Sequence, residues 1–258
     1  MVVMEHKYRL VLMLCIAVLL AGCGSAPAHK EKEVQGKSLV GESDLRIAAS
    51  ALQSGDFNVA QSIYGRLVKQ QPDNVNAWLG LADTHFMMGE LDAANKAYAT
   101  MQQLDPKNID AQLGQARILV RNRNLTEAIA RFKSILTRFP NHPLALSGLG
   151  VSYDLSGDPD QAQSTYRRGL QLHPDDAALR TNFGLSLALS GKPREAVNVL
   201  LGNSGVSGKL PQARDNLALA YGMLGRDDAA EEILMSSQSR SAVEDNLEFY
   251  HYLRNNMR

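Results

Sequence analysis

The chain has 258 residues, with 27 lysines and arginines against 27 aspartates and glutamates, and two cysteines. This length allows one or two domains. The balanced charge argues against a polybasic protein that binds nucleic acid or a membrane surface. Two cysteines cannot form a disulfide framework or a cysteine-based zinc site. The hydrophobic content of 45% is ordinary for a folded protein and argues against general disorder.

The first 22 residues have the pattern of a secretory signal. Lys7 and Arg9 form a short basic segment, and the apolar run 10–20 follows it. This run is too short to cross a bilayer, which takes a helix of about 20 residues. The run ends in Leu20-Ala21-Gly22-Cys23, which resembles the bacterial lipobox. The resemblance implies cleavage before Cys23 and acylation of its thiol with fatty acids such as palmitate. The alternative is an uncleaved signal anchor with an incidental cysteine.

Residues 23–40 are polar and rich in Gly, Ser and Pro, and they predict a lipidated tether without a core of its own. Gly24 follows the cysteine. In Gram-negative lipoproteins an aspartate at that place is an inner-membrane retention signal, so the lipobox resemblance implies the outer membrane here. We therefore expect a protein that is lipid-anchored in the outer membrane and faces the periplasm.

A period of 34 residues runs through the rest of the chain. Alanine keeps this spacing without exception, at Ala60, Ala94, Ala128, Ala162, Ala196 and Ala230. Glycine keeps it at Gly55, Gly89, Gly157, Gly191 and Gly225, with Arg123 in the missing place. Prolines follow the same spacing at Pro72, Pro106, Pro140 and Pro174, and aromatic residues do so at Tyr64, Tyr98, Phe132 and Tyr166.

The period and these residues resemble the tetratricopeptide repeat, a hairpin of two helices, here called helix A and helix B. The units are 41–74, 75–108, 109–142, 143–176, 177–210 and 211–244, and a final helix covers 245–258. The resemblance implies an all-α fold, a right-handed superhelical solenoid of about six helix pairs plus a C-terminal capping helix. The glycine-rich segment 202–208 interrupts the pattern and predicts a frayed helix end and a hinge.

Each repeated residue has a mechanical role. Small residues let two helices approach to about 8–10 Å. On helix A they are Ala48, Ala82, Ala116, Gly150, Gly184 and Ala218. The glycine in the turn between helices A and B can adopt the left-handed conformation that ends helix A. The proline ends helix B, because the residue before a proline is pushed out of the helical region.

No residue pattern predicts a catalytic, cofactor-binding or metal site. Segment 202–209 resembles a phosphate loop, but that motif requires Gly where Asn203 stands and Ser or Thr where Leu210 stands. The histidines lack metal-ligand spacing. We therefore expect no enzyme, no cofactor apart from the lipid on Cys23, no small-molecule substrate and no nucleic acid. An enzyme that acts on peptidoglycan remains as an alternative, and it would require a nucleophile or paired carboxylates that converge in a pocket.

In repeats of this kind, residues on one side of helix A line the concave face of the solenoid. The resemblance maps an apolar partner groove onto Leu79, Phe86, Met87, Leu113, Val120, Val151, Leu155, Leu185 and Leu189. An apolar groove with a polar rim suits the capture of a peptide or helix. The alternative is that the protein covers these side chains itself.

Residues 214–225, which begin with Arg214-Asp215-Asn216 and end with Leu224-Gly225, resemble the TadD family. These are the repeat lipoproteins of tight-adherence (Flp) pilus assembly. Together with the lipobox and the repeats, the resemblance spans the chain. It implies an outer-membrane-anchored interaction scaffold for a pilus secretion apparatus, with the secretin as one candidate partner. A pilotin or adaptor for a type IV pilus secretin or an envelope peptidase remains the alternative.

Overall fold

The computed structural model describes residues 39–201 and 211–256, and these residues form thirteen α-helices and no strand. The helices are α1 (Leu39–Ser54), α2 (Phe57–Gln70), α3 (Val75–Met88), α4 (Leu91–Leu104), α5 (Ile109–Arg121), α6 (Leu125–Arg138), α7 (Pro143–Leu155), α8 (Pro159–Leu172), α9 (Ala177–Leu189), α10 (Pro193–Leu201), α11 (Pro211–Met223), α12 (Asp227–Met235) and α13 (Arg240–Asn256). This order confirms the predicted all-α repeat fold. Among the described residues, none of the helices has the length and apolar character needed to cross a bilayer.

Several predicted features lie outside the described residues. They are the signal peptide, Cys23, the tether up to residue 38, and the glycine-rich segment 202–208. At the two edges of the repeats, α1 begins at Leu39 and α13 begins at Arg240, so both helices start before the residues predicted from the period.

The chain divides into two compact units, and the boundary lies within α6, between Arg131 and Phe132. In the first unit, α3 packs against α1, α2, α4 and α5. In the second unit, α9 packs against α7, α8, α10 and α11, and α13 packs against α11 and α12. Within each unit a helix thus contacts its neighbours in sequence and the equivalent helix of the adjacent repeat, which is the contact pattern of a solenoid.

Short turns with defined caps separate the helices. Asn74, Asn108, Asp158 and Asp176 each accept a hydrogen bond from the backbone N–H three residues later, at 2.8 to 3.2 Å. These bonds satisfy amide groups that the first helical turn would leave without a partner. The side chains at these turns therefore fix where helices α3, α5, α8 and α9 begin.

The turn between helices A and B requires a left-handed residue, as predicted. The five glycines of the repeat pattern have φ between 74° and 86°, and they are Gly55, Gly89, Gly157, Gly191 and Gly225. Arg123, which replaces the glycine in the third repeat, has φ of 62°. The turn geometry is therefore kept in this repeat even though an L side chain pays a steric cost in that region.

Small residues sit where helices approach most closely, which confirms their predicted role. The repeated alanines of helix A, such as Ala82, and those of helix B, such as Ala94, are fully buried. A Cβ placed on Gly150, one of the predicted small residues, would lie 2.4 Å from Cε1 of Tyr166. A Cβ on Gly114, which was not among them, would lie 2.2 Å from Cζ of Tyr98. Aromatic rings of helix B thus fill the space that the missing side chains of helix A leave.

Candidate protein-interaction surface

The residues predicted to line a partner groove are here called the helix-A face, and each unit contains part of it. In the first unit, Phe86, Leu113 and Val120 are buried, Leu79 is half-buried, and Met87 is 39% exposed. Only Leu79 and Met87 of this set therefore offer substantial apolar surface to a partner.

The second unit contains the other four residues of the helix-A face. Val151 and Leu185 are buried, whereas Leu155 and Leu189 are half-buried. Leu155 and Leu189 are the last residues of helices α7 and α9. The accessible apolar surface of this unit's share of the face therefore lies at the C-terminal ends of its A helices.

A cluster of polar and aromatic side chains surrounds Phe86 in the first unit. The Cζ atoms of Arg117 and Arg121 lie 4.2 Å and 5.2 Å from the centroid of the Phe86 ring. Oδ1 of Asp83 accepts hydrogen bonds from the Tyr98 hydroxyl at 2.6 Å and from Nη1 of Arg117 at 3.3 Å. The cluster joins helices α3, α4 and α5. It places two cations over the Phe86 ring, for which the sequence predicted only apolar contacts.

Burial raises the pKa of the Tyr98 hydroxyl, and the nearby carboxylate of Asp83 raises it further. The Tyr98 hydroxyl therefore stays protonated and donates to Asp83. In this arrangement Asp83 is held by two donors, one neutral and one cationic. These contacts fix the position of the Arg117 guanidinium above Phe86.

The carboxylate of Asp154 lies in the second unit, and among the residues that the structure describes it forms no ion pair. Its Oδ1 accepts a hydrogen bond from the Ser186 hydroxyl at 2.7 Å, and its Oδ2 accepts one from the Tyr166 hydroxyl at 3.0 Å. Burial raises the pKa of Asp154 to about 6, although both hydrogen bonds act in the opposite direction. The carboxyl group links helices α7, α8 and α9.

Buried side-chain amides connect the A helices of the second unit. Nδ2 of Asn182 donates to Oγ of Ser147 at 3.0 Å, and Nδ2 of Asn216 donates to the backbone carbonyl of Thr181 at 3.2 Å. The sequence did not lead us to predict these contacts of Asn182 and Asn216. Their spacing of one repeat, 34 residues, is the signal that could have revealed them.

These features describe a helical repeat protein with half-buried apolar side chains and arginines on its A helices. A Tetratricopeptide repeat profile matches residues 51–118, 86–150 and 119–181, which together are just over half of the chain. The chain therefore belongs to the tetratricopeptide-repeat family, as the sequence predicted. Repeats of this family bind protein partners.

Solved structures with the same fold cover most of the chain. The chain resembles the Cut9–Hcn1 hetero-tetramer of APC/C (TM-score 0.67, 22% identity), covering 84% of this chain and 42% of that one. It also resembles PilW, a widely conserved type IV pilus biogenesis factor (TM-score 0.63, 19% identity), covering 82% of this chain and 98% of PilW. PilF of Pseudomonas aeruginosa matches with a TM-score of 0.57 and 16% identity, over 76% of this chain and 89% of PilF. At these identities the likeness establishes the fold.

A curated human relative, protein O-mannosyl-transferase TMTC2, shares 39% identity with the chain over 59 residues. The match spans 22% of this chain and 7% of that protein. The likeness is therefore confined to a short segment of a much longer protein.

Proposed function

We propose that the chain is a protein-interaction scaffold anchored to the outer membrane through lipid on Cys23, and that it assists assembly of a Flp (tight-adherence) pilus secretion apparatus. It faces the periplasm and captures a peptide or helix of a partner, for which the secretin is one candidate. The scaffold performs no reaction and uses no cofactor or metal.

The observation that carries this proposal is the repeat fold shared with PilW, a type IV pilus biogenesis factor, and with PilF. The match covers 98% of PilW and 89% of PilF, so nearly the whole of each of those proteins consists of the same kind of repeat module. The lipobox-like sequence before Cys23 and the TadD-like residues 214–225 support an envelope lipoprotein of pilus assembly. The description of PilW as a type IV pilus biogenesis factor favours a second candidate, a pilotin or adaptor for a type IV pilus secretin. An adaptor for an envelope peptidase is the remaining version of that alternative.

A site-specific crosslinking experiment separates these candidates. A photo-reactive amino acid replaces Met87, which is 39% exposed on the helix-A face, and a control replaces Val59, which is 46% exposed on α2. Because the two positions are similarly exposed, they differ chiefly in the helix that carries them. After irradiation of intact envelopes, we expect an adduct from position 87 that contains a Flp secretion subunit, and none of that identity from position 59.

The identity of the adduct decides between the readings. A type IV pilus secretin or a peptidase at position 87 would support the second candidate. The same adducts from positions 87 and 59 would contradict capture by the helix-A face.

In parallel, Cys23→Ser should abolish incorporation of labelled palmitate and release the protein from the outer-membrane fraction. Unchanged palmitate labelling of Cys23→Ser would refute attachment of the lipid at Cys23.

A further inference from the structure

A cationic surface covers Phe86 on the helix-A face of the first unit. Arg117 and Arg121 lie one helical turn apart on α5, and both guanidinium groups stack on the same ring, which is only 1% exposed. A molecule that approaches this part of the helix-A face therefore meets guanidinium groups before it meets the aromatic side chain. This surface is therefore formed by guanidinium groups, whereas the sequence predicted an apolar contact residue here.

The two arginines differ in how their charges are balanced. Arg117 forms an ion pair with Asp83 at 3.3 Å. Within residues 39–201 and 211–256, no carboxylate lies within 4.0 Å of the Arg121 guanidinium. Asp110, the acidic residue of α5, belongs to the first turn of the helix, about 16 Å along the axis from Arg121. The C-terminal end of α5 is therefore the basic end of this surface.

Two supports hold Arg121 in place without neutralising its charge. One is the Phe86 ring. The other is the C-terminal end of α3, because Nη2 of Arg121 lies 3.9 Å from the point where a Cβ on Gly89, the C-cap residue, would stand. The carbonyl groups at a helix C-terminus attract cations. Arg121 is thus positioned and partly exposed, with hydrogen-bonding capacity for an anion.

We propose that Arg121, with Arg117 beside it, binds an acidic side chain of a partner polypeptide. This inference rests on the proposed function and names the chemistry of the captured segment. A guanidinium group forms paired, charge-assisted hydrogen bonds with a carboxylate, and when it stacks on an aromatic ring its N–H groups can still donate outward in the plane of the guanidinium. The neighbouring Met87 is exposed and offers apolar contact to a residue next to the acidic one. The bound segment therefore carries an Asp or Glu next to an apolar residue.

A random dodecapeptide phage library tests this inference on the immobilised full chain. The variants are Arg121→Gln, which removes the charge, and the control Arg131→Gln, which removes a charge on α6 whose side chain is 61% exposed and pairs with Glu127. We expect the wild type and the control to select peptides enriched in Asp and Glu, and Arg121→Gln to lose this enrichment. A selected acidic peptide should bind Arg121→Gln about 10-fold more weakly, as expected for the loss of a hydrogen bond to a charged group.

Exchange of Glu for Gln in the selected peptide provides a second measurement that needs no protein variant. It should weaken binding to the wild type about 10-fold, and it should change binding to folded Arg121→Gln little. Peptides selected without any acidic preference, or equal losses in Arg121→Gln and Arg131→Gln, would overturn the inference and leave the scaffold function standing. Failure of the wild type to select any peptide would contradict both the inference and peptide capture itself. Melting curves of the two variants show whether each one is folded.

Discussion

Single glycines on the A helices determine how closely aromatic side chains can pack. A Cβ on Gly114 would lie 2.2 Å from Cζ of Tyr98, whose ring is fully buried and whose hydroxyl is fixed by Asp83. Because Tyr98 cannot move away freely, Gly114→Ala should lower the free energy of unfolding by about 1–3 kcal/mol, despite the higher helix propensity of alanine. Urea denaturation measures this change.

Gly65 on α2 is the matched control, since a Cβ there would meet nothing within 4 Å. Gly65→Ala should raise the free energy of unfolding by up to about 1 kcal/mol, because alanine favours the helix and no atom must move. If both substitutions changed the free energy of unfolding in the same direction, close packing at Gly114 would not be the reason for glycine there.

Asp154 makes the stability of the second unit depend on pH. Burial raises its pKa from 3.8 to about 6 in the folded protein. Between about pH 4 and pH 6 the folded state therefore keeps a proton that the unfolded state has lost. The free energy of unfolding should accordingly be highest below pH 4 with respect to this group, and should fall by roughly 3 kcal/mol as the pH rises to 7.

Two variants test the role of Asp154. Asp154→Asn cannot titrate, so this fall between pH 4 and pH 7 should disappear from urea denaturation curves. Ser186→Ala removes a hydroxyl group that donates to the carboxylate at 2.7 Å and lowers its pKa. The fall should therefore be larger in Ser186→Ala than in the wild type. An unchanged pH dependence in Asp154→Asn would assign it to other groups.

At the scale of the helix pair, the sequence was sufficient to predict the fold. The 34-residue period fixes which residues are small, and those residues lie at the closest approaches. The period also located the left-handed turn in the third repeat, where Arg123 keeps φ of 62° without a glycine. A repeat pattern succeeds here because each hairpin packs against copies of itself, so one contact recurs many times.

The contacts on the helix-A face were not predictable in the same way. Phe86 was expected to be an exposed apolar anchor, but whether it is covered depends on two arginines from the next A helix. Likewise, the amide contacts of Asn182 and Asn216 require the register between adjacent repeats. Periodicity identifies residues that recur, whereas residues that differ between repeats determine the surface, and their partners lie one repeat away.

At the scale of the whole molecule, a chain built from neighbouring contacts needs an end that covers the last repeat. Among the described residues, helix α13 packs against α11 and α12, as expected for the predicted capping helix. Tyr250 is only 4% exposed and occupies the space above Gly222, and Nη1 of Arg254 donates to the Gly222 carbonyl at 3.0 Å. Tyr250 thus packs on a glycine of an A helix, as Tyr98 does on Gly114 in the first unit.

Removal of the Tyr250 ring should loosen the molecule locally. Tyr250→Ala leaves a cavity between α11 and α13 and should cost about 3–4 kcal/mol of local stability. Because each repeat is stabilised by its neighbours, amide hydrogen exchange should quicken most in α11, α12 and α13 and least in α1 to α4. Tyr252→Ala, at a tyrosine on the same helix that is 41% exposed, should change exchange much less. Uniform acceleration across all helices in Tyr250→Ala would show instead that the protein unfolds as one cooperative block, and that its stability is not a sum over neighbouring repeats.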